Sequence, residues 1–431
     1  MPYQTVPDSV RRFMDRITEL CGAEHADWAE NFNAAFANTL TTTVHRHADG
    51  TTFLLTGDIP AMWLRDSTAQ VRPYLPIAAE DDDLADMIEG LVRLQFRYIG
   101  IDPYANAFNE EPNGATWDPD DRSDFSSPWL WERKYELDSL CYPIQLAWLL
   151  NVNTGRVSQF DDTFISGMRR VLDVLETEQD HARSPYFFIR DCDIPTESLD
   201  NDGRGTPVAP TGMTWSGFRP SDDACTYHYL VPANMFAAVV MGYAERIFTE
   251  IVDDAALAAR ARALRESIDG GLRSHGTMTN AAGETIWAYE VDGLGHALLM
   301  DDSNVPSLMA APYLGYCAAD DPLYLSTRRT LLSAENPFYY EGAYAKGIGS
   351  PHTPPRYVWP IALSIQGLTS PDKAEKAAIL DNLVAIDAGT HLMHEGVCVD
   401  DPTQYTREWF SWSNMMFCEL VMDYFDIRVR H

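Results

Sequence analysis

The stretch DIPAMWLRDSTAQVRPYLP, from Asp58 to Pro76, sets the pattern for the whole chain. A Gly- and Pro-punctuated loop delivers Trp63 and the Arg65-Asp66 pair. A helical pattern expected over Ser67–Ala78 follows, with Asp66 or Ser67 suited to cap its first turn. Outward from it, the same alternation of helix and loop repeats. Apolar residues at spacings of three and four predict helices over Asp8–Leu20, His25–Leu40, Leu84–Ile99, Leu137–Asn151, Phe160–Glu178, Asp223–Glu250 and Ala255–Leu272. The same signal continues over Pro306–Cys317, Leu323–Leu332, Tyr357–Gln366, Pro371–Ile386 and Gln404–Phe425. Short extended pieces are expected only at Thr51–Leu55 and Thr285–Val291.

The joining segments are long. Residues 102–133 and 184–221 exceed the ~12–15 residues of a passive connector, a length that usually marks function. A dozen helices with long loops suit an all-α (α/α)6 toroid, six outer helices around six inner ones, with loops at one end forming a pocket. No stretch reads as a flexible linker, so residues 1–431 are expected to form a single domain.

Charge narrows the partners. The chain carries 64 acidic and 32 basic residues, a formal net charge of -32, which disfavours nucleic acid and anionic membranes. No apolar run approaches the ~20 residues that span a bilayer. The first 20 residues read as a helix, not a signal peptide. Seven cysteines, odd in number and without a C-x-x-C pair, suit reduced thiols and a cytoplasmic location.

The common catalytic motifs are absent. There is no P-loop and no G-x-S-x-G; Gly293-Leu294-Gly295 does not extend to G-x-G-x-x-G; His394-Glu395 does not complete H-E-x-x-H. No cofactor and no catalytic metal are expected. Loops rich in carboxylates, Arg, Asn and aromatic rings remain. Rings stack on pyranose faces, charged and amide groups bind vicinal hydroxyls, and a carboxylate pair can cleave a glycosidic bond.

Four segments carry these groups. Trp63-Leu64-Arg65-Asp66 fits a hydroxyl-binding corner, or equally a helix cap with a surface ion pair. In Arg219-Pro220-Ser221-Asp222-Asp223, an expected helix start would stabilise carboxylates through the helix dipole. An acid there needs burial or like-charge repulsion to keep its proton. Glu395, beside a glycine turn, reads as an exposed glutamate unless the following Arg407-Glu408-Trp409 cluster closes a pocket over it. Asp301 and Asp302 suit helix caps, hydroxyl contacts or a divalent ion. The segments from Trp131 to Ser139 and from Gly347 to Thr353, the latter with His352, are supporting. Histidine acid/base chemistry, as in a sugar isomerase or epimerase, would call on His228, His296, His352 or His394. A glycan-binding protein without turnover would carry similar loops.

These phrases resemble glycoside hydrolase family 125, the exo-α-1,6-mannosidases. The resemblance rests on DIPAMWLRDSTAQVRPYLP, GMTWSGFRPSDDACTYHYLVPANMF, MDDSNVPSL, and MHE followed by DPTQYTREWFSWSN. It runs in order from near residue 50 to near residue 420. It implies an (α/α)6 fold and metal-independent, inverting removal of non-reducing terminal α-1,6-linked mannose from a mannose-containing oligosaccharide. It implies Asp222 as general acid, with Asp223 in reserve, and Glu395 as base. Trp63, Arg65, Asp66, Asp302, Asn304, His352 and Arg407 would contact substrate. Related toroid hydrolases of other sugar or linkage specificity share these residue types. Where the family commonly has Ser-Phe after the Glu and Pro after the later Arg, this chain has Gly396-Val397 and Glu408.

Overall fold

The structure is a computed structural model that describes residues 3, 5–302 and 304–431; Ser303 of the MDDSNVPSL motif lies outside the described residues. It is mostly helical, with 47% of residues in helix. Two compact units emerge from its internal contacts. One comprises residues 1–94, 146–159 and 338–431; the other comprises 95–145 and 160–337.

The first unit is organised on the Ser411–Tyr424 helix, which is buried at every position from Ser411 to Asp423. A helix apolar or small on all sides must be enclosed by neighbours. Helices Ala26–Asn38, Leu64–Val71, Pro360–Leu368 and Lys373–Ala385 enclose it. In the second unit, Val231–Arg246 packs on Ala255–His275, which also meets Asp162–Glu178. Helices Asp82–Ile101 and Leu137–Thr154 contribute residues to both units. Several starts are capped as their sequences suggest. Asp161 accepts from Thr163 N and Phe164 N at 2.9 and 3.0 Å, and Asp254, Asp321 and Asp372 act alike.

Five expected helices differ, each for a local reason. The Ser67–Ala78 pattern begins at Leu64, so Asp66 and Ser67 lie inside the first turn and Trp63 occupies the cap position. Pro73 then splits the remainder into a short 3₁₀ turn and Leu75–Ala78. The Asp223–Glu250 helix begins only at Val231 and passes at Ile247 into a π-turn. Pro232 sits in its first turn, and His228 has φ 60°, which no helix accommodates. Pro306–Cys317 is a chain of tight turns, as shown by Ala310 N to Ser307 O and Gly315 N to Pro312 O, both 3.1 Å. Pro312 has no N–H to extend a helix. Tyr357–Gln366 starts as a strand, Tyr357–Val358, and becomes helical at Pro360. Gln404–Phe425 likewise holds a strand at Tyr405–Thr406 and a left-handed Arg407 before the helix at Ser411.

The loops contain many two- and three-residue strands. The expected Thr51–Leu55 piece is Thr52–Leu54, in a hairpin with Val44–Arg46. The Thr285–Val291 piece divides into Thr285–Trp287 and Glu290–Val291, each with its own partner. Residues 102–133 hold strands Ala107–Phe108, Arg122–Ser123 and Leu130–Glu132. Such pieces escape hydropathy patterns, because two or three residues show no period.

His228 explains why the chain stays irregular before Val231. Its ring stacks on Trp215 at 4.7 Å. Thr206 N donates to Nε2 at 3.0 Å, and Nδ1 lies 2.9 Å from Ser216 O. A ring that accepts on Nε2 and donates from Nδ1 is neutral. Burial pushes its pKa down to about 4. An unfolded imidazole titrates near ~6.5, so the folded protein rejects a proton that the unfolded chain accepts. This contribution is complete above pH ~6.5 and fades as pH falls towards 4, by on the order of 3 kcal/mol. Urea midpoints between pH 7 and 4.5 should therefore fall less steeply for His228→Gln than for the parent. Equal slopes would contradict the assignment.

Gly90 marks a close helix-to-hairpin approach. A Cβ there would sit 2.4 Å from Gly50 O and 2.8 Å from Thr52 Oγ1. Ala ordinarily stabilises a helix by about 1 kcal/mol over Gly. Here Gly90→Ala should instead destabilise by about 1–3 kcal/mol in urea unfolding, and a gain in stability would contradict this packing.

Candidate active site

In the first unit, the sequence Met393-His394-Glu395-Gly396 is an extended strand entry clamped by the buried 411–424 helix. Asn414 Oδ1 accepts from Met393 N at 2.7 Å, and Ser413 Oγ donates to His394 O at 2.8 Å. On its other edge, Glu395 N donates to Thr406 O at 3.2 Å. Ring stacking of His394 on Tyr405, at 3.7 Å, tightens the pair. Bonds on both sides fix the main chain around Glu395. Glu395 is 8% exposed, not the open surface glutamate its residue type suggests.

Arg407 gives that carboxylate a charge partner, with Nη1 3.7 Å from Glu395 Oε1. Its other edge is held by Asp58, with Nη2 at 2.6 Å and Nε at 3.0 Å from Oδ1. Phe410 lies 4.2 Å beneath the guanidinium. Buried charge requires such partners, and the left-handed backbone at Arg407 (φ 44°) turns the chain between strand and helix. Arg65 and Asp66 form a second pair in the same unit, Nε to Oδ1 3.4 Å, both almost fully enclosed. Thr56 Oγ1 donates to Asp66 at 2.5 Å, and Arg65 lies 5.5 Å over Trp412. Burial removes the surface ion-pair reading of Arg65-Asp66. Trp63 is also buried, whereas His352 is exposed on a turn, its ring 6.4 Å from Trp359.

In the second unit, Arg219–Asp223 is a tight turn and not a helix start, so no helix dipole acts on it. Asp222 N donates to Arg219 O at 2.9 Å, and Arg219 N to Asp223 O at 2.8 Å. Asp222 is left-handed, φ 69°, a conformation Asp tolerates better than most residues. The turn is tied down from three directions. Arg219 Nε donates to the fully buried Glu290 at 2.6 Å, whose other oxygen accepts from Thr226 N and Tyr227 N. Ser221 Oγ donates to Asp302 Oδ2 at 2.5 Å, and Asn304 Nδ2 to Pro220 O at 3.0 Å. Asp302 and Asn304 are thus supports of the turn. Asp223 is 1% exposed, while Asp222 is partly open.

Asp301 caps the following turn, accepting from Leu308 N at 2.8 Å and Met309 N at 3.0 Å. Burial pushes its carboxyl up to about 8. A group committed to two backbone donors in this way is a cap. The other histidines fit structural parts: His228 is locked as above, and His296 is exposed and bound to Asp292 at 2.5 Å.

Reading the sequence singled out the segment from Trp131 to Ser139 but no role for any residue within it. Lys134 Nζ donates to Asp222 O and to Glu197 Oε2, both at 2.8 Å. The available signal was scarcity, since Lys134 is one of only four lysines in the chain. Glu197 and Arg190, its neighbours, carried no signal at all.

The chain's relatives bear on the chemistry. The family model of metal-independent α-mannosidases matches residues 25–422. A solved structure from Streptococcus pneumoniae, from work on metal-independent α-mannosidases and the processing of N-linked glycans, is 55% identical. It aligns over 98% of this chain and 100% of its own, with a TM-score of 0.97. That structure is a non-productive substrate complex with α-1,6-mannobiose. The meiotically up-regulated gene 157 protein of Schizosaccharomyces pombe is 38% identical over 98% of this chain and 88% of its own. A wild-type glycosidase structure at 13% identity, with a TM-score of 0.54 over 98% of this chain and 99% of that one, shares the fold alone. A hydrolase family spanning nearly the whole chain answers the isomerase and binding-protein readings, and the protein belongs to glycoside hydrolase family 125, the metal-independent α-mannosidases.

Proposed function

We propose that this α-mannosidase is exo-acting and inverting, and removes non-reducing terminal α-1,6-linked mannose from mannose-containing oligosaccharides. The observation that carries the reading is the 55% identical relative whose structure holds α-1,6-mannobiose. N-linked glycans, whose processing is named with that relative, are the proposed source of such linkages. On this reading residues 1–431 act as one catalytic domain with an (α/α)6 toroid fold, supported by the TM-score of 0.97 and the helical content. A cytoplasmic setting fits the seven cysteines, all of them free; among the described residues no helix is long and apolar enough to cross a membrane.

In the proposed reaction, protonated Asp222 donates its proton to the glycosidic oxygen as the C1–O bond breaks, and the shortened glycan departs as an alcohol. Ionised Glu395 takes a proton from a water whose oxygen attacks C1 from the opposite face. Asp222 is preferred over Asp223 because it is the one with access to solvent. The Arg407 guanidinium, 3.7 Å from Glu395 Oε1, supports a role for this carboxylate at the site. Trp63, Arg65, Asp66, Asp302, Asn304, His352 and Arg407 are proposed to shape the mannose site. The mechanism requires the two carboxyl groups to flank one glycosidic bond ~6.5–9.5 Å apart, leaving room for water.

The test compares two variants on α-1,6-mannobiose and on α-mannosyl fluoride, whose fluoride leaves with little protonation. Asp222→Asn should lose roughly 10²–10⁴-fold in kcat on mannobiose yet keep most of its turnover of the fluoride. Glu395→Gln should lose about the same on both, because each needs the activated water. Near-parent turnover of mannobiose by either variant rejects that residue's role.

A further inference from the structure

We propose that Lys134 is a positioning residue for Asp222: its ammonium grips the backbone of the proposed acid and supplies the positive charge against which that acid releases its proton. The inference rests on the assignment of Asp222 as acid.

Lys134 is 1% exposed, and a buried ammonium persists only with partners on several sides. It has them. Nζ donates to Asp222 O and Glu197 Oε2, each at 2.8 Å, and Glu132 Oε1 lies at 3.8 Å. The Phe218 ring packs 5.3 Å from Nζ. The backbone of Lys134 is itself fixed, its N–H donating to Asn106 Oδ1 at 3.1 Å. The anions it faces are also held. Arg190 bonds Glu197 at 2.5 Å and Glu132 at 2.8 Å, and grips Asp121 through two nitrogens at 2.8 and 2.7 Å. Burial disfavours the charged form of Lys134, but Glu132, Glu197 and Asp222 outweigh it and hold its pKa above the usual value. Burial pushes Glu197 up, yet Lys134 and Arg190 outweigh it and hold its carboxyl below the usual value.

Two consequences reach Asp222. The carbonyl of its left-handed turn accepts from the lysine, which holds the main chain of the residue in place. The ammonium also bears electrostatically on Asp222, favouring the ionised form that arises as the proton leaves, while Glu132 and Glu197 offset part of the ammonium's charge. Lys134 therefore stands between the proposed acid and two anions, Glu132 and Glu197, that share its charge. An arginine would carry the charge, but not the compact geometry that reaches a carbonyl and a carboxylate together.

The basic limb of the pH profile of kcat/KM reads this balance, because activity on that side is lost as the free enzyme's acid deprotonates. Lys134→Met removes the cation that bears on Asp222. Its basic limb should move up by about one pH unit, with kcat/KM on α-1,6-mannobiose about a hundredfold lower. Glu197→Gln, which keeps Lys134 and removes one anion, should move the same limb down, and it carries the test if Lys134→Met does not fold. Lys134→Arg should restore the parent limb with only part of the rate. Opposite shifts in the two variants support the proposal. Loss of rate with the limb unmoved in both makes Lys134 a structural part and overturns it. The Asp222→Asn comparison keeps the failures apart. If that variant hydrolyses mannobiose normally, the acid assignment fails and this inference falls with it. If it fails on mannobiose but cleaves the fluoride, unmoved limbs refute the role of Lys134 alone.

Discussion

A charge removed from water must meet an opposite charge or a set of donors, or the fold does not form around it. That constraint shapes the surroundings of each proposed catalytic carboxylate within its own unit. Arg219 and Glu290, both buried, meet at 2.6 Å and pin the turn that presents Asp222. Lys134 and Arg190 share Glu132 and Glu197 beneath the same turn. In the other unit, Arg407 bridges Asp58 and Glu395, and Arg65 lies beside Asp66. Removing one partner of such a pair strands the other at a cost of about 3–5 kcal/mol, far more than an exposed pair contributes.

The helices supply the frame for these pairs, and irregular backbone supplies the chemistry. Glu395 enters a three-residue strand, and Asp222 occupies a left-handed turn. Neither lies in a helix, where the regular hydrogen-bond ladder would dictate side-chain direction. What replaces the ladder is a set of side-chain to backbone bonds: Asn414 and Ser413 hold the Glu395 strand, and Asn304 and Ser221 tie the Asp222 turn. Residues that look like sugar ligands in a list, such as Asn304 and Asp302, are therefore also braces. Substituting them would act on catalysis through the turn as well as through any hydroxyl contact.

Much of this was legible in the sequence, for physical reasons that can be named. Long amphipathic helices such as Asp162–Glu178 and Ala255–His275 announce themselves by period and by an Asp cap. The in-order phrases around Arg65, Asp222, Asn304 and Glu395 carry the family. Helix boundaries failed where proline or a left-handed residue intervened, as at Pro232, Pro312 and Arg407. The supposed helix dipole on Asp222 and Asp223 failed with them. Lys134, Arg190 and Glu197 were invisible as a group because they are 56 and 7 residues apart along the chain, as the numbering shows. Only folding makes them neighbours.

The stereochemistry of the product tests the central claim, that two carboxyl groups with a water between them perform a single displacement. Proton NMR of α-1,6-mannobiose hydrolysis, recorded from the first turnovers before mutarotation, distinguishes the anomers directly. The account predicts that β-mannose appears first and α-mannose only later. Release of α-mannose as the initial product would contradict it.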